Sequence, residues 1–408
     1  MPDTSRRVVL TGLGAISSIG VGAVDFAAGL RAGRSGAKPI SVFDTAGFAY
    51  ANGCEITDFE PAEWVRRLVV GELGRASQFS VAAARMAVAD SGWGEEALAA
   101  RRGLVSIGTT DGESHDLDQL TAAQLAGGPE SLSPIVVRRV PAARLSIAIA
   151  QELGLSSVEA VTIPTACAAG NYAIGYGFDA VRSGEVDFAL CGGADAMSRK
   201  TFAGFYRLGT IAPDCVRPFD VARKGILTGE GAGVLVLESV ASARARGARV
   251  YAEVLGYGLN CDAFHQVAPN EDSVARCMEL ALANAGVSPG EVDLISAHGT
   301  GTKANDVTES RAIRQVFGGS PPRTISIKSM LGHSMGAASA LAAVGCSLAI
   351  AEGFIPPTIN HGVTDPECDV DCVPNRAVEA DLRVVQNNGL AFGGNNAVII
   401  LGKYEEQT

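Results

Sequence analysis

AVTIPTACAAGNYAIGYGFDAV, residues 160–181, is the stretch that decides the fold. Ala160–Pro164 is a short β-branched run, so it predicts a strand. A turn of small residues follows, and then a helix that opens at Cys167. RTISIKSMLGHSMGAASALAAV, residues 323–344, repeats the design with His333 at the corresponding corner. In both copies the helix is rich in Ala, Gly and Ser, which permits close packing against a neighbour. Two copies of one strand–turn–helix design, each carrying a reactive side chain, imply a duplicated fold with a site between its halves.

Outward from these two stretches, short apolar runs alternate with helical ones along the whole chain. Strands are expected at Arg7–Leu13 and Leu104–Thr109, and helices at Ser77–Ser91 (closed by Gly92) and Val137–Leu153. The second half predicts strands near Val250–Tyr257, at Val292–Ser296 and at Thr324–Lys328, with helices at Ser273–Ala285 and Asp306–Phe317. In Ser273–Ala285 the residues Val274, Cys277, Met278, Ala281 and Leu282 fall on one helical face. Such alternation means βαβ units and a mostly parallel α/β sheet. The boundary between halves is placed within Gly247–Tyr251, after EGAGVLVLESVASARARG, giving units 1–250 and 251–408.

The chain's 408 residues suit one large duplicated fold. Its net charge of −11 makes a global attraction to nucleic acid or anionic lipid a poor reading, which leaves only local basic patches. No run of 18 apolar residues predicts a membrane span, and the N-terminal stretch shows no secretory h-region. Nine scattered cysteines, an odd number, suit reduced thiols in a cytoplasm better than a disulfide framework.

Several motifs lose to plainer readings. Gly12-x-Gly14 in TGLGAISSIG has Ser17 at the sixth position and no acidic residue at nucleotide-fold spacing, so it reads as a structural turn. Cys368 and Cys372 have no companion His or Cys pair, so no metal site is expected. Cys167 is different. At a helix N-terminus the dipole favours thiolate, and its small neighbours let a substrate approach. His298 follows the apolar run Val292–Ile295, where strand ends line sites, and His333 opens the second small-residue helix. His115, His265 and His361 lie in polar or loop-like segments and read as non-catalytic.

Thr165-Ala-Cys167-Ala-Ala, Ala297-His298-Gly-Thr300-Gly-Thr302, Lys328-Ser-Met-Leu-Gly-His333 and Ala391-Phe392-Gly393-Gly394-Asn395-Asn396 resemble, in this order, the four signatures of the β-ketoacyl-acyl-carrier-protein synthases of the KAS II type. The resemblance runs from about residue 6 to 403. It implies the thiolase fold, a five-layer αβαβα stack of two duplicated halves. It also implies a decarboxylative Claisen condensation, in which malonyl carrier protein extends an acyl chain held as a thioester on Cys167. His298 and His333 match the pair supporting decarboxylation and condensation. Lys328 matches the buried lysine of the site, Asp306 and Glu309 match the acidic helix beneath it, and Glu309 is the expected ion partner. Phe392 matches the gating aromatic, and its N–H with that of Cys167 would form the oxyanion hole. Thr300 and Thr302 match contacts to the phosphopantetheine arm, and Gly393 and Asn395 are expected to border substrate. No permanently bound cofactor is implied, since the phosphopantetheine of the carrier protein brings the substrate.

Two departures point to specialisation. In the last motif Leu390-Ala391 stands for the usual Phe-Gly, so the first aromatic is gone and Asn395 replaces Thr; the loop 262–273 also looks shorter than in housekeeping enzymes. Both favour a ketosynthase of a type II polyketide or polyene pathway, dimeric with a chain length factor. A homodimeric KAS II enzyme of fatty acid elongation is the alternative. A non-catalytic chain-length-factor-like subunit is disfavoured by the joint presence of Cys167, His298 and His333, and a degradative thiolase by the lack of a second cysteine in LAFGGNN. Arg75, Arg199, Lys200 and Arg207 are the candidate cations for docking an acidic carrier protein.

Overall fold

The computed structural model describes residues 6–406. Its central sheet has a main path of ten strands: β1 (Val8–Ser17), β2 (Gly103–Gly108), β3 (Val158–Ile163), β4 (Phe188–Asp195), β5 (Gly231–Ser239), β6 (Ala252–Cys261), β7 (Leu294–Ser296), β8 (Arg323–Ile325), β9 (Val384–Leu390) and β10 (Asn395–Gly402). The spatial order is β3-β2-β4-β5-β1-β6-β10-β9-β7-β8. In the first half β1 pairs antiparallel with β5 and β5 with β4, whereas β4–β2 and β2–β3 are parallel. In the second half β6 pairs antiparallel with β10 and β10 with β9, whereas β9–β7 and β7–β8 are parallel. Order and sense coincide strand for strand, so each half is the same five-strand unit. The units join edge to edge through the antiparallel pair β1–β6, from Val8↔Val254 to Leu10↔Ala252.

The helices that matter are α1 (Arg75–Ser91), α2 (Arg144–Leu153), α3 (Ala169–Arg182), α4 (Arg199–Arg207), α5 (Glu271–Ala285), α6 (Lys303–Phe317) and α7 (Ala337–Glu352). α1 and α2 cover the outer face of the first unit, and α5 and α6 cover that of the second. Between the two units lie α3 and α7, which pack on each other and on strands of both units. This is the five-layer αβαβα stack implied by the resemblance. The middle layer explains the small residues. Residues 337–350 of α7 are buried without interruption, so that helix has no solvent face to mark with charge. A Cβ on Gly170 of α3 would stand 2.6 Å from the Ala340 nitrogen of α7, so this crossing excludes any side chain.

The sheet is not mostly parallel as expected, since five of the nine pairings along its path are antiparallel, and two expected elements also differ. The single helix over Val137–Leu153 is instead Pro134–Arg139 followed by α2. Pro141 lies in the break, where it supplies no N–H and its ring obstructs the preceding turn. The strand over Thr324–Lys328 ends at Ile325, because Ser326 leaves the ladder. Its N–H donates to Thr358 Oγ1 at 3.0 Å and its hydroxyl to the Gly299 carbonyl at 2.7 Å. Lys328 then opens a helical turn, Lys328–Leu331.

Candidate active site

Cys167 sits on a tight helical turn, Ala166–Ala168, between the C-terminal end of β3 and α3. Ala166 takes φ 50, a left-handed conformation uncommon for a residue with a Cβ, and so bends the chain sharply before the thiol. His298 follows β7 across Ala297. His333 stands four residues before α7, further from the helix than its sequence implied, because Gly332 at φ 69 turns the chain and His333 bridges in parallel to Thr228. Cys167, His298 and His333 line one cleft of about 640 Å³ that opens to solvent, together with Phe392, Thr300 and Thr302.

The two imidazoles lie edge to face with centroids 5.4 Å apart. Burial, reinforced by the Lys328 charge, pushes both well below the ordinary histidine range, so both are neutral. His333 Nδ1 accepts the Met335 N–H at 3.1 Å, which leaves Nε2 as the protonated nitrogen. A neutral N–H donor aimed into an apolar cleft can stabilise a developing enolate oxygen without adding a charge at rest.

Burial raises the Cys167 thiol to about 12, against the lowering pull of Lys328 and of the Phe392 and Cys167 N–H groups. The resting group is therefore a thiol and not the expected thiolate, because desolvation outweighs the lowering pull of Lys328 and of the two N–H groups. The two N–H groups that reach Sγ are nonetheless the pair expected to form the oxyanion hole. They are available to a thioester oxygen once the sulfur is acylated.

Lys328 is buried, and burial lowers it to about 8 despite the opposing pull of Glu309, Cys167 and Asp306. Its Nζ donates to the His298 carbonyl at 2.6 Å. The expected Lys328–Glu309 ion pair does not form: among the described residues no carboxylate lies within 4.0 Å of that ammonium. Glu309 instead accepts the N–H of His298 at 2.7 Å and of Gly299 at 2.8 Å, with Asn388 Nδ2 at 3.0 Å. The His298 peptide is thus gripped from its N–H side by a carboxylate and from its carbonyl side by an ammonium. Asp306 also pulls on Lys328 through its charge but makes no ion pair with it. It receives the N–H of Phe219 at 2.9 Å and faces the buried Arg223 at 3.7 Å, a partner 83 positions away that the sequence did not single out.

The flanking residues divide. Thr300 and Thr302 face the cleft with hydroxyls 2.9 Å apart, and Thr302 also caps α6 by accepting the Asn305 N–H. Gly393 and Asn395 do not line the cleft. The Gly393 N–H is turned to the Gln266 carbonyl at 2.8 Å, and Asn395 begins β10 opposite Cys261. Phe392 packs at a tilt against Phe205 of α4, centroids 5.5 Å apart, and the Phe205 ring lies 6.4 Å from that of His333. Phe205 was not anticipated; a Phe on a short surface helix gives no sequence signal of facing a site.

Of the four docking candidates, Arg75 is excluded. Its guanidinium is held by the buried Glu230 at 2.6 Å and by the Ile56 carbonyl at 2.6 Å. Lys200 is exposed but paired with Asp111 at 2.9 Å, and Arg199 lies over the Phe48 ring at 5.4 Å. Arg207 is exposed, as are Lys224 and Lys303, and among the described residues none of the three has a carboxylate within 4.0 Å. Their chain neighbours Thr210, Ile226, Thr302 and Ala304 line the cleft, so all three lie within three residues of its lining. Among the described residues no helix is long and apolar enough to cross a membrane.

Residues 5–243 match the family described as Beta-ketoacyl synthase, N-terminal domain, and residues 251–361 match Beta-ketoacyl synthase, C-terminal domain. The chain is 38% identical to the 3-oxoacyl-[acyl-carrier-protein] synthase 2 of Synechocystis sp., over 98% of this chain and 99% of that one. It is 38% identical to nodulation protein E of Rhizobium sp., over 97% and 98%. Among solved structures it is similar to a chain of the ishigamide ketosynthase/chain length factor, at 63% identity and a TM-score of 0.97, covering 98% of this chain and all of that one. A type II PKS acyl-carrier protein in complex with its ketosynthase bound to the hexaketide gives 30% identity and a TM-score of 0.90, with the same coverage. The chain belongs to the β-ketoacyl synthase family and is an acyltransferase built on the thiolase fold.

Proposed function

We propose that this protein extends an acyl chain by decarboxylative Claisen condensation, as the catalytic subunit of a type II polyketide or polyene ketosynthase. The observation that carries the reading is one cleft joining the Cys167 thiol, the two N–H groups that reach it and two neutral imidazoles. In the first half-reaction the thiol attacks an acyl thioester on a carrier protein's phosphopantetheine. Its proton leaves with the departing thiol, and the acyl group stays on Sγ. In the second, malonyl carrier protein enters and its C–C bond to the carboxylate breaks. CO2 leaves, and the enolate oxygen is held by the His298 and His333 N–H groups. The carbanion then attacks the Cys167 thioester and expels the sulfur, which regains a proton. Lys328 and Glu309 hold His298 in place, and Phe392 with Phe205 forms the wall over the sulfur.

The carrier docks on Arg207, Lys224 and Lys303, local positive charges beside the cleft lining on a chain whose net charge is −11. The protein works as a dimer. Strand β3 ends the sheet with a half-exposed edge, and the excursion between β2 and β3 exposes Leu117, Leu125, Ile135 and Val137. Similarity to the ishigamide ketosynthase/chain length factor at 63% identity, against 38% for the 3-oxoacyl synthase 2 of Synechocystis, favours a chain length factor over a second copy as the partner. Units 1–250 and 251–408 are two halves of one folded body, working in a reducing cytoplasm. Acyl and malonyl carrier proteins incubated with the dimer should yield a β-ketoacyl carrier two carbons longer. If no extended product forms with any acyl length, the proposal fails.

A further inference from the structure

Asp195 is a fully buried carboxylate at the last position of β4, with no cation within 4.0 Å among the described residues. Buried charges are normally paired, so its surroundings need an account. Four donors converge on it. Oδ1 accepts the Thr109 hydroxyl at 2.7 Å and the Asp111 N–H at 3.1 Å, and Oδ2 accepts the Thr110 N–H at 2.8 Å. The fourth donor comes from the other half of the molecule, the Gly336 N–H, at 2.6 Å from Oδ2.

That last bond connects the carboxylate to His333. Residues 335 and 336 send consecutive N–H groups in two directions, Met335 to His333 Nδ1 and Gly336 to Asp195. Met335 takes φ 51, a conformation that costs a residue with a Cβ about 1–3 kcal/mol and persists only where its surroundings hold it. Asp195 supplies that hold. Released from the carboxylate, the Met335–Gly336 peptide is free to relax toward an ordinary turn, withdrawing the N–H that keeps His333 Nδ1 unprotonated and Nε2 protonated.

We propose that Asp195 is a positioning residue for the condensation half-reaction, holding the 335–336 turn that fixes the tautomer and aim of His333. The proposal rests on the ketosynthase reading of the site. Asp195 acts on carbon–carbon bond formation through His333; its charge also raises the Cys167 thiol, so removing that charge does not slow acylation. Burial raises its carboxyl to about 7, against the Thr109 and Thr110 hydrogen bonds, and Asp111 raises it further. The other groups facing this pocket are the Cys167 thiol, neutral His333, and Lys200, which pairs with Asp111 on the solvent side. Protonation of Asp195 removes acceptors from backbone donors, so condensation should weaken as pH falls through this range.

The test compares wild type with Asp195→Asn, whose amide keeps the shape but sets N–H against N–H. Acylation of Cys167 by acyl carrier protein is followed by intact mass, and CO2 release and product by condensation with malonyl carrier protein. The expected result is acylation within about threefold of wild type, condensation down about 100-fold as for a misplaced catalytic group, and loss of the acid limb near pH 7. Thr109→Val, which removes one of the four donors, should show the same split at smaller size and keeps the test decisive if the Asn variant does not fold. Equal losses in both half-reactions, or unchanged condensation with an unchanged pH profile, would overturn the proposal. The ketosynthase reading is judged separately, by whether wild type acylates and condenses at all.

Discussion

Replacing Glu309 by Gln isolates the role of a carboxylate that holds backbone instead of a lysine. The carboxylate accepts from the His298 and Gly299 N–H groups at 2.7 and 2.8 Å and from Asn388 Nδ2 at 3.0 Å, all buried. Gln keeps the shape but has one acceptor oxygen, so its NH2 must face at least one of these donors. A hydrogen bond to a charged group contributes roughly 1.5–3 kcal/mol, and a buried donor left unpaired costs about 1–3 kcal/mol. Taken together the change should cost about 2–4 kcal/mol in the placement of His298. At 1.4 kcal/mol per decade that is a loss of about 30- to 1,000-fold in condensation. Acylation uses the N–H groups of Cys167 and Phe392, so it should change by no more than about threefold. Single-turnover acylation by intact mass and CO2 release from malonyl carrier protein measure the two separately. Asn388→Leu, which removes one donor to the same carboxylate, should give a smaller loss of the same kind. If the Gln variant folds and condenses within threefold of wild type, or loses both half-reactions equally, the backbone clamp is refuted.

Two further outcomes follow from the charges. Arg207→Glu should raise the KM for carrier protein about tenfold at low salt and much less at high salt, because the interaction is screened over the Debye length. Arg75→Ala should leave that salt dependence untouched and instead destabilise the fold by about 1–3 kcal/mol, since buried Glu230 loses its cation but keeps the Ile56 and Met197 N–H groups. With the Cys167 thiol near 12, above the ~8.5 of a free thiol, thiolate is scarce at neutral pH. Alkylation of Cys167 by iodoacetamide should therefore climb about tenfold per pH unit from 7 to 10, and a plateau below pH 9 would contradict a buried resting thiol.

Much of the site was legible because its chemistry is local. Cys167 and His333 occupy matched turns in two copies of one pattern, and His298 closes an apolar strand. What failed to show in sequence is pairing across distance. Lys328 beside an acidic helix reads as an ion pair. Nothing in the string reveals that Ser326 leaves the ladder, that the chain turns helical at Lys328, or that Nζ meets a carbonyl. Asp306 finds Arg223, and Arg75 finds Glu230, through contacts that only the folded chain creates. The expectation of a thiolate at Cys167 fails because burial is a property of five packed layers and not of one turn. The docking cations are local too: Lys224 in a loop and Lys303 at the first position of α6 carry no mark in the sequence of the cleft their neighbours line.

The most direct measurement is the mass of the intact chain, first after incubation with acyl carrier protein and then after a chase with malonyl carrier protein. The account predicts one acyl adduct, located on Cys167, absent in Cys167→Ser, and discharged by the chase with release of CO2. An adduct on another residue, an adduct that survives the chase, or no adduct with any acyl length would contradict it.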